Sequence, residues 1–190
     1  LTTEFLKLSP ILQMSDISIP LSKTKRLEEL YSSFGGRKGS FMVEARNLKV
    51  SDLTGEAFFS RKEYYTLTLK ADGERKLLIF NKDGIWLNYP PNLSNLISLS
   101  SVPSNYVYDC ELVDHTILLF DCLIFNDTDI RKQPHEQRRE RCNQLPIDLP
   151  EPYFAHLKEF FPLRNSVEFF STIDRFGGIF TQFRKMEENP

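Results

Sequence analysis

Lys70-Ala71-Asp72-Gly73-Glu74-Arg75 places an amine, a carboxylate and a guanidinium around one tight turn. These groups can hold a nucleotide phosphate and ribose. A lysine amine is a nucleophile when unprotonated, and burial or nearby cations lower its pKa. Attack on an α-phosphate would expel pyrophosphate and leave a lysyl-phosphoramidate. Asp72 and Gly73 shape the turn, and glycine lets the backbone bend sharply. Arg75 supplies forked donors that suit ribose hydroxyls or phosphate oxygens.

Two downstream clusters add to this set. In Tyr108-Asp109-Cys110-Glu111-Leu112-Val113 the two acids are two residues apart. On a strand they share one face. A half-buried strand carries two such acids only where something cationic or hydrogen-bonding meets them. Leu118-Leu119-Phe120-Asp121-Cys122-Leu123-Ile124-Phe125 then sets one acid inside an apolar run. Strict alternation would send Phe120 and Asp121 to opposite faces.

The elements that must position these groups are mostly strands. Tyr64–Leu69 and Lys76–Phe80 flank the lysine turn and have strand composition. Asn81-Lys82-Asp83-Gly84 joins the second run to Ile85–Tyr89, a hairpin signal. Pro90-Pro91 stops that strand. Tyr106–Val113 and Thr116–Phe125 form a second pair through Asp114-His115, which predicts an antiparallel sheet. Upstream, Thr24 is expected to cap a helix through Ser33, with Leu27, Leu30 and Tyr31 on one face. The Phe34–Gly39 stretch reads as a loop and lacks the Gly-Lys-Ser/Thr end of a phosphate-binding loop. Downstream, helices are expected from Pro134, over Pro152–Phe161 and over Val167–Phe176, the last ended by Gly177-Gly178. Strands first and helices after predict an α+β class.

Bulk properties narrow the function classes. The 190 residues suit one domain, and 41% hydrophobic content suffices for a core. A net charge of −2 gives no global footprint for nucleic acid, so any polynucleotide must meet a local patch. Cys110, Cys122 and Cys142 form no C-x-x-C pair, which argues against a disulfide framework or zinc module and for a reducing compartment. His115, His135 and His156 lack metal-ligand spacing. The apolar run of 117–125 is broken by Asp121 and is too short to cross a membrane. The opening residues do not read as a basic-then-apolar signal segment.

The order KADGER, DCELV and LLFDCLIFNDTDIRKQPHEQRRERC resembles the covalent nucleotidyltransferases, namely mRNA-capping guanylyltransferases and polynucleotide ligases. The resemblance covers about Tyr64 to Cys142. It implies an antiparallel, ATP-grasp-like nucleotidyltransferase domain with flanking helices. Residues 1–63 would form its N-terminal arm and helices, and 64–190 its nucleotide-binding core. It implies Lys70 as the residue that becomes covalently bound to the nucleoside monophosphate, and Asp72, Gly73 and Arg75 as nucleotide-binding, with Arg75 at the sugar. Glu111 would contact ribose or, with Asp109, a Mg²⁺ or Mn²⁺ ion. Phe120 would stack on the base, with Asp121, Arg138 and Arg139 in support. The small Ala71 favours the capping branch, particularly that of large DNA viruses. GTP and the 5′-diphosphate end of RNA are then the expected substrates. RNA triphosphatase and methyltransferase domains are the expected partners, in cytoplasm or nucleus and without a membrane. The ligase branch would use ATP, and a non-catalytic scaffold would keep only the fold.

The sequence departs from that family pattern in two respects. Cys110 stands where a glycine is usual between the two acids. The later acid-glycine and lysine-rich strands and the OB-fold lid are absent. Gly177-Gly178-Ile179-Phe180 lacks the acid and reads as a helix end. The chain opens at Leu1 and stops at Pro190, which predicts a fragment cut before the last motifs and unable to act alone.

Overall fold

The computed structural model describes residues 21–33, 65–88, 95–165 and 181–185, plus single positions 49, 51, 56 and 167; for 181–185 it describes the backbone. The expected loop 34–39, the Pro90-Pro91 stop and the Gly177–Phe180 stretch lie outside the described residues. So does the expected helix 167–176, apart from Val167.

Helix α1 spans Leu21–Ser33. It begins three residues before the predicted cap, so Thr24 lies inside the helix. Its first turn is tied down instead by cations: Lys23 Nζ donates to the Asp83 carbonyl at 2.9 Å, and Arg26 pairs with the Asp83 carboxylate at 2.9 Å. Leu27, Leu30 and Tyr31 are its buried residues, as their spacing predicts.

Strands β1 (Tyr65–Leu69), β2 (Glu74–Asn81) and β3 (Gly84–Asn88) follow, then β4 (Leu96–Ser98), β5 (Tyr106–Val113), β6 (Thr116–Phe125) and β7 (Thr128–Asp129). Helix α2 covers His135–Arg141 after Pro134. Strands β8 (Phe154–Leu157) and β9 (Phe161–Pro162), a 3₁₀ turn at Leu163–Asn165 and strand β10 (Thr181–Lys185) complete the described elements. Seven strands form one sheet in the order β4-β3-β2-β5-β6-β7, with β8 also on β6; the other sheet is β10-β1-β9. All pairs are antiparallel except β6–β8. The class is α+β.

The predicted helix over 152–161 is overturned: this stretch forms β8 and β9. Phe154 and His156 are exposed, while Ala155 and Leu157 pack into the core. That alternation has the period of a strand, and the open edge of β6 accepts it over Thr116–Leu119. Strands therefore continue after the helix, contrary to the expected segregation. The hairpins formed as predicted, including Asn81↔Gly84 and Val113↔Thr116. Gly84 has φ +141°, and a Cβ there would collide with the Ser98 carbonyl, so glycine is required.

The large sheet is buried on both faces. On one face Leu77, Ile79, Trp86, Val107 and Leu123 meet α1. On the other, Leu78, Phe80, Ile85, Leu87 and Tyr108 pack with Cys110, Cys122 and Cys142. Continuous apolar runs such as Leu77–Phe80 follow from this double burial. Burial raises the thiol pKa of all three cysteines, that of Cys142 to about 12. They are free thiols. Among the described residues, no helix is long and apolar enough to cross a membrane.

Candidate functional site

The Lys70–Arg75 turn links the small sheet to the large one. Lys70 follows the last residue of β1 and Glu74 opens β2. Lys70, Asp72 and Gly73 are all exposed. Gly73 is needed for close approach rather than for an unusual φ. A Cβ there would lie 2.5 Å from the Leu112 carbonyl oxygen and 2.7 Å from Val113 Cγ2. The turn is thus pressed against the end of β5, the strand that carries Asp109 and Glu111. Among the described residues, Lys70 makes no hydrogen bond or ion pair.

Arg75 enters β2 opposite Glu111 and forms a bidentate pair with Asp109, Nε to Oδ1 at 3.0 Å and Nη2 to Oδ2 at 2.5 Å. Asp109 is 1% exposed, so this guanidinium supplies the charge its burial demands. Glu111 meets a residue that the sequence reading missed. Lys158 Nζ donates to Glu111 Oε2 at 3.0 Å. Both cations also approach the Phe120 ring, Lys158 Nζ at 5.5 Å and Arg75 Cζ at 5.9 Å from its centroid. Arg75, Asp109, Glu111, Phe120 and Lys158 therefore form one cluster.

A bulge in β6 delivers Phe120. The register runs Asp109↔Asp121 and then Cys110↔Leu119, so Phe120 is the extra residue. Strict alternation fails here. Phe120 faces the two cations, whereas Asp121 turns to Arg138, with Nε–Oδ1 at 2.9 Å and Nη2–Oδ2 at 3.0 Å. Arg138 also donates to the carbonyls of Arg131 and Gln133. His135 Nε2 lies 3.1 Å from the Phe120 carbonyl. That oxygen can only accept, which places the proton on Nε2. Asp121 and Arg138 thus secure the bulge from behind without joining the cluster. Arg139 contacts the cluster only through the main chain, by a 3.0 Å bond to the Lys158 carbonyl.

Lys158 lies on the short link between β8 and β9. Its amide donates to the Leu119 carbonyl at 2.7 Å, and Thr68 Oγ1 donates to the next carbonyl, that of Glu159, at 2.7 Å. Strand β1, which ends just before Lys70, and the segment carrying Lys158 are therefore stitched together. The sequence signal for Lys158 was weak: one lysine in a partly apolar stretch, 47 residues from its partner.

Any divalent cation at this cluster would have one carboxylate to meet, Glu111. Asp109 commits both oxygens to Arg75, whereas Glu111 Oε1 has no hydrogen bond to the described residues. Mg²⁺ is commonly held by one or two carboxylates plus substrate phosphates. Glu111 would be the residue to hold it. Among the described residues, no group of three or more His, Cys, Asp or Glu side chains could hold a metal alone. Comparison of the sequence with protein-family models and with curated proteins gives no match.

Proposed function

We propose that this chain forms the nucleotide-binding part of a covalent nucleotidyltransferase of the mRNA-capping guanylyltransferase type. One observation carries the reading. A lysine-bearing turn is pressed, through Gly73, beside a cluster in which two cations approach the ring of Phe120 and each pairs with a carboxylate.

The cluster supports distinct roles. Phe120 is 9% exposed, and its ring would be the apolar platform for a purine. Lys158 donates hydrogen bonds and accepts none. Guanine presents acceptors at O6 and N7, whereas adenine presents a donor at N6. An ammonium beside the base platform thus favours guanine. Arg75 is held by Asp109 in an orientation suited to ribose or phosphate oxygens. The Lys70 nitrogen attacks the α-phosphorus of GTP through its lone pair. A nitrogen–phosphorus bond forms, the bond to the bridging oxygen breaks, pyrophosphate leaves and the nitrogen loses a proton. A terminal oxygen of 5′-diphosphate RNA then attacks the same phosphorus, and Lys70 leaves and regains a proton. A Mg²⁺ or Mn²⁺ ion bound at Glu111 and the phosphates would neutralise charge there.

The test uses the full-length protein with α-³²P-labelled GTP or ATP, followed by denaturing electrophoresis. Retained label from GTP that disappears in Lys70→Ala is expected. Label from ATP alone would reassign the chain to the ligase branch. No label from either nucleotide, with nucleotide binding intact, would make it a non-catalytic scaffold.

A further inference from the structure

We propose that Arg139 is a positioning residue that fixes Lys158 through its main chain, and so sets the base preference assigned to Lys158 above; the preference, but not the positioning, rests on that functional reading. His135, Arg138 and Arg139 occupy one face of α2 at i, i+3 and i+4. Each grips the neighbourhood of Phe120 differently. His135 meets the Phe120 carbonyl, Arg138 the Asp121 carboxylate, and Arg139 the Lys158 carbonyl.

Lys158 is thereby anchored from two sides. Its N–H bonds to β6 at Leu119, and its C=O accepts from Arg139 on α2. The Arg139 guanidinium also lies 5.0 Å from the Phe160 ring centroid, and the His135 ring contacts Phe160 edge-on at 5.4 Å. A lysine side chain loses much rotamer freedom when held in one place. Fixing the main chain on both sides reduces the volume its ammonium can sweep and keeps it between Glu111 and Phe120. Arg139 does this at a cost, because its Nε is buried with no hydrogen-bond partner among the described residues.

Arg139→Met, Arg139→Lys, Lys158→Met and the double variant of Arg139→Met with Lys158→Met test this in the full-length protein. The first readout needs no nucleotide: acetylation of Lys158 by acetic anhydride, located by mass spectrometry with exposed Lys70 as internal reference. Arg139→Met is expected to speed Lys158 acetylation about tenfold, the scale of one lost charge-assisted hydrogen bond, and Arg139→Lys to restore part of the protection. An unchanged rate would overturn the proposal. The second readout is the ratio of GTP to ATP labelling at Lys70. Arg139→Met and Lys158→Met should each lower it, and the double variant should lower it no further than Lys158→Met alone. Additive effects, or a ratio that Arg139→Met leaves unmoved, would overturn the role in base preference. A wild-type protein labelled by neither nucleotide would overturn the functional reading, while the acetylation result would still decide whether Arg139 positions Lys158.

Discussion

The two ends of one sheet face are built on opposite terms. Strands β2 and β5 contribute Leu77, Ile79 and Val107 to one end, where they meet Leu27, Leu30 and Tyr31 of α1. At the other end the same strands contribute Arg75, Asp109 and Glu111, joined by Phe120 and Lys158. The apolar end is held by area removed from water, a non-directional force that spreads any single loss over many neighbours. The charged end is held pair by pair. Removing one partner there leaves its mate buried and uncompensated. Lys70 belongs to neither arrangement, since it is exposed and among the described residues has no bonded partner. The groups that stabilise the charged end and the group assigned to its chemistry are therefore different residues, and substitution can separate them.

The sharpest separation is at Lys70. Lys70→Ala should reduce covalent GMP labelling to background, a loss of at least about a thousandfold for a missing nucleophile, with the thermal midpoint unchanged. A shifted midpoint in calorimetry would show that Lys70 has a structural role. Next comes the pair behind the bulge. Arg138→Met should cost about 3–5 kcal/mol in urea unfolding by leaving Asp121 charged and buried. At the apolar end, Leu27→Ala should cost about 2–5 kcal/mol through the cavity it leaves, while labelling of the remaining folded protein persists. Gly73→Ala should cost about 1–3 kcal/mol through collision with the Leu112 carbonyl, and unlike Leu27→Ala should also weaken labelling, because the turn must move off β5.

The smallest effect falls on the opposite face of the sheet. Burial raises the Cys142 thiol from its ordinary value of 9.0 to about 12. Below pH 9 it is protonated in both folded and unfolded chains, and its contribution is fully present. As pH rises from 9 toward 12 the unfolded chain loses its proton first, so stability falls. Unfolding free energies from urea titrations at pH 8 and pH 10 should differ by about 1 kcal/mol for this thiol, and Cys142→Ala should remove that part of the difference.

Local signals were the legible ones. The Asn81–Gly84 and Asp114-His115 turns, the strands they join and the buried stripe of α1 are each fixed by neighbours in sequence, and all appear where expected. Between Tyr153 and Phe161 the apolar spacing fits a helix as well as a strand. The choice is made by the open edge of β6, which only the folded chain supplies. The bulge at Phe120 is hidden for the same reason, since register belongs to a pair of strands. Asp109, Glu111 and Phe120 stood out as polar or aromatic residues in unusual settings. Lys158 did not, because a lysine in a surface segment is ordinary until the chain brings it to Glu111.

The bond from Thr68 to the Glu159 carbonyl has a metrical consequence. Thr68 is two residues from Lys70, and Glu159 is adjacent to Lys158, so one hydrogen bond ties together the main-chain segments that carry the two lysines. In a nucleoside triphosphate the span from base edge to α-phosphorus is set by covalent bonds. Under the proposed function, two lysines whose main chains are tied in this way would gauge that span, favouring ligands whose base and phosphate reach both amines together. Thr68 would then calibrate the gauge without touching what is gauged.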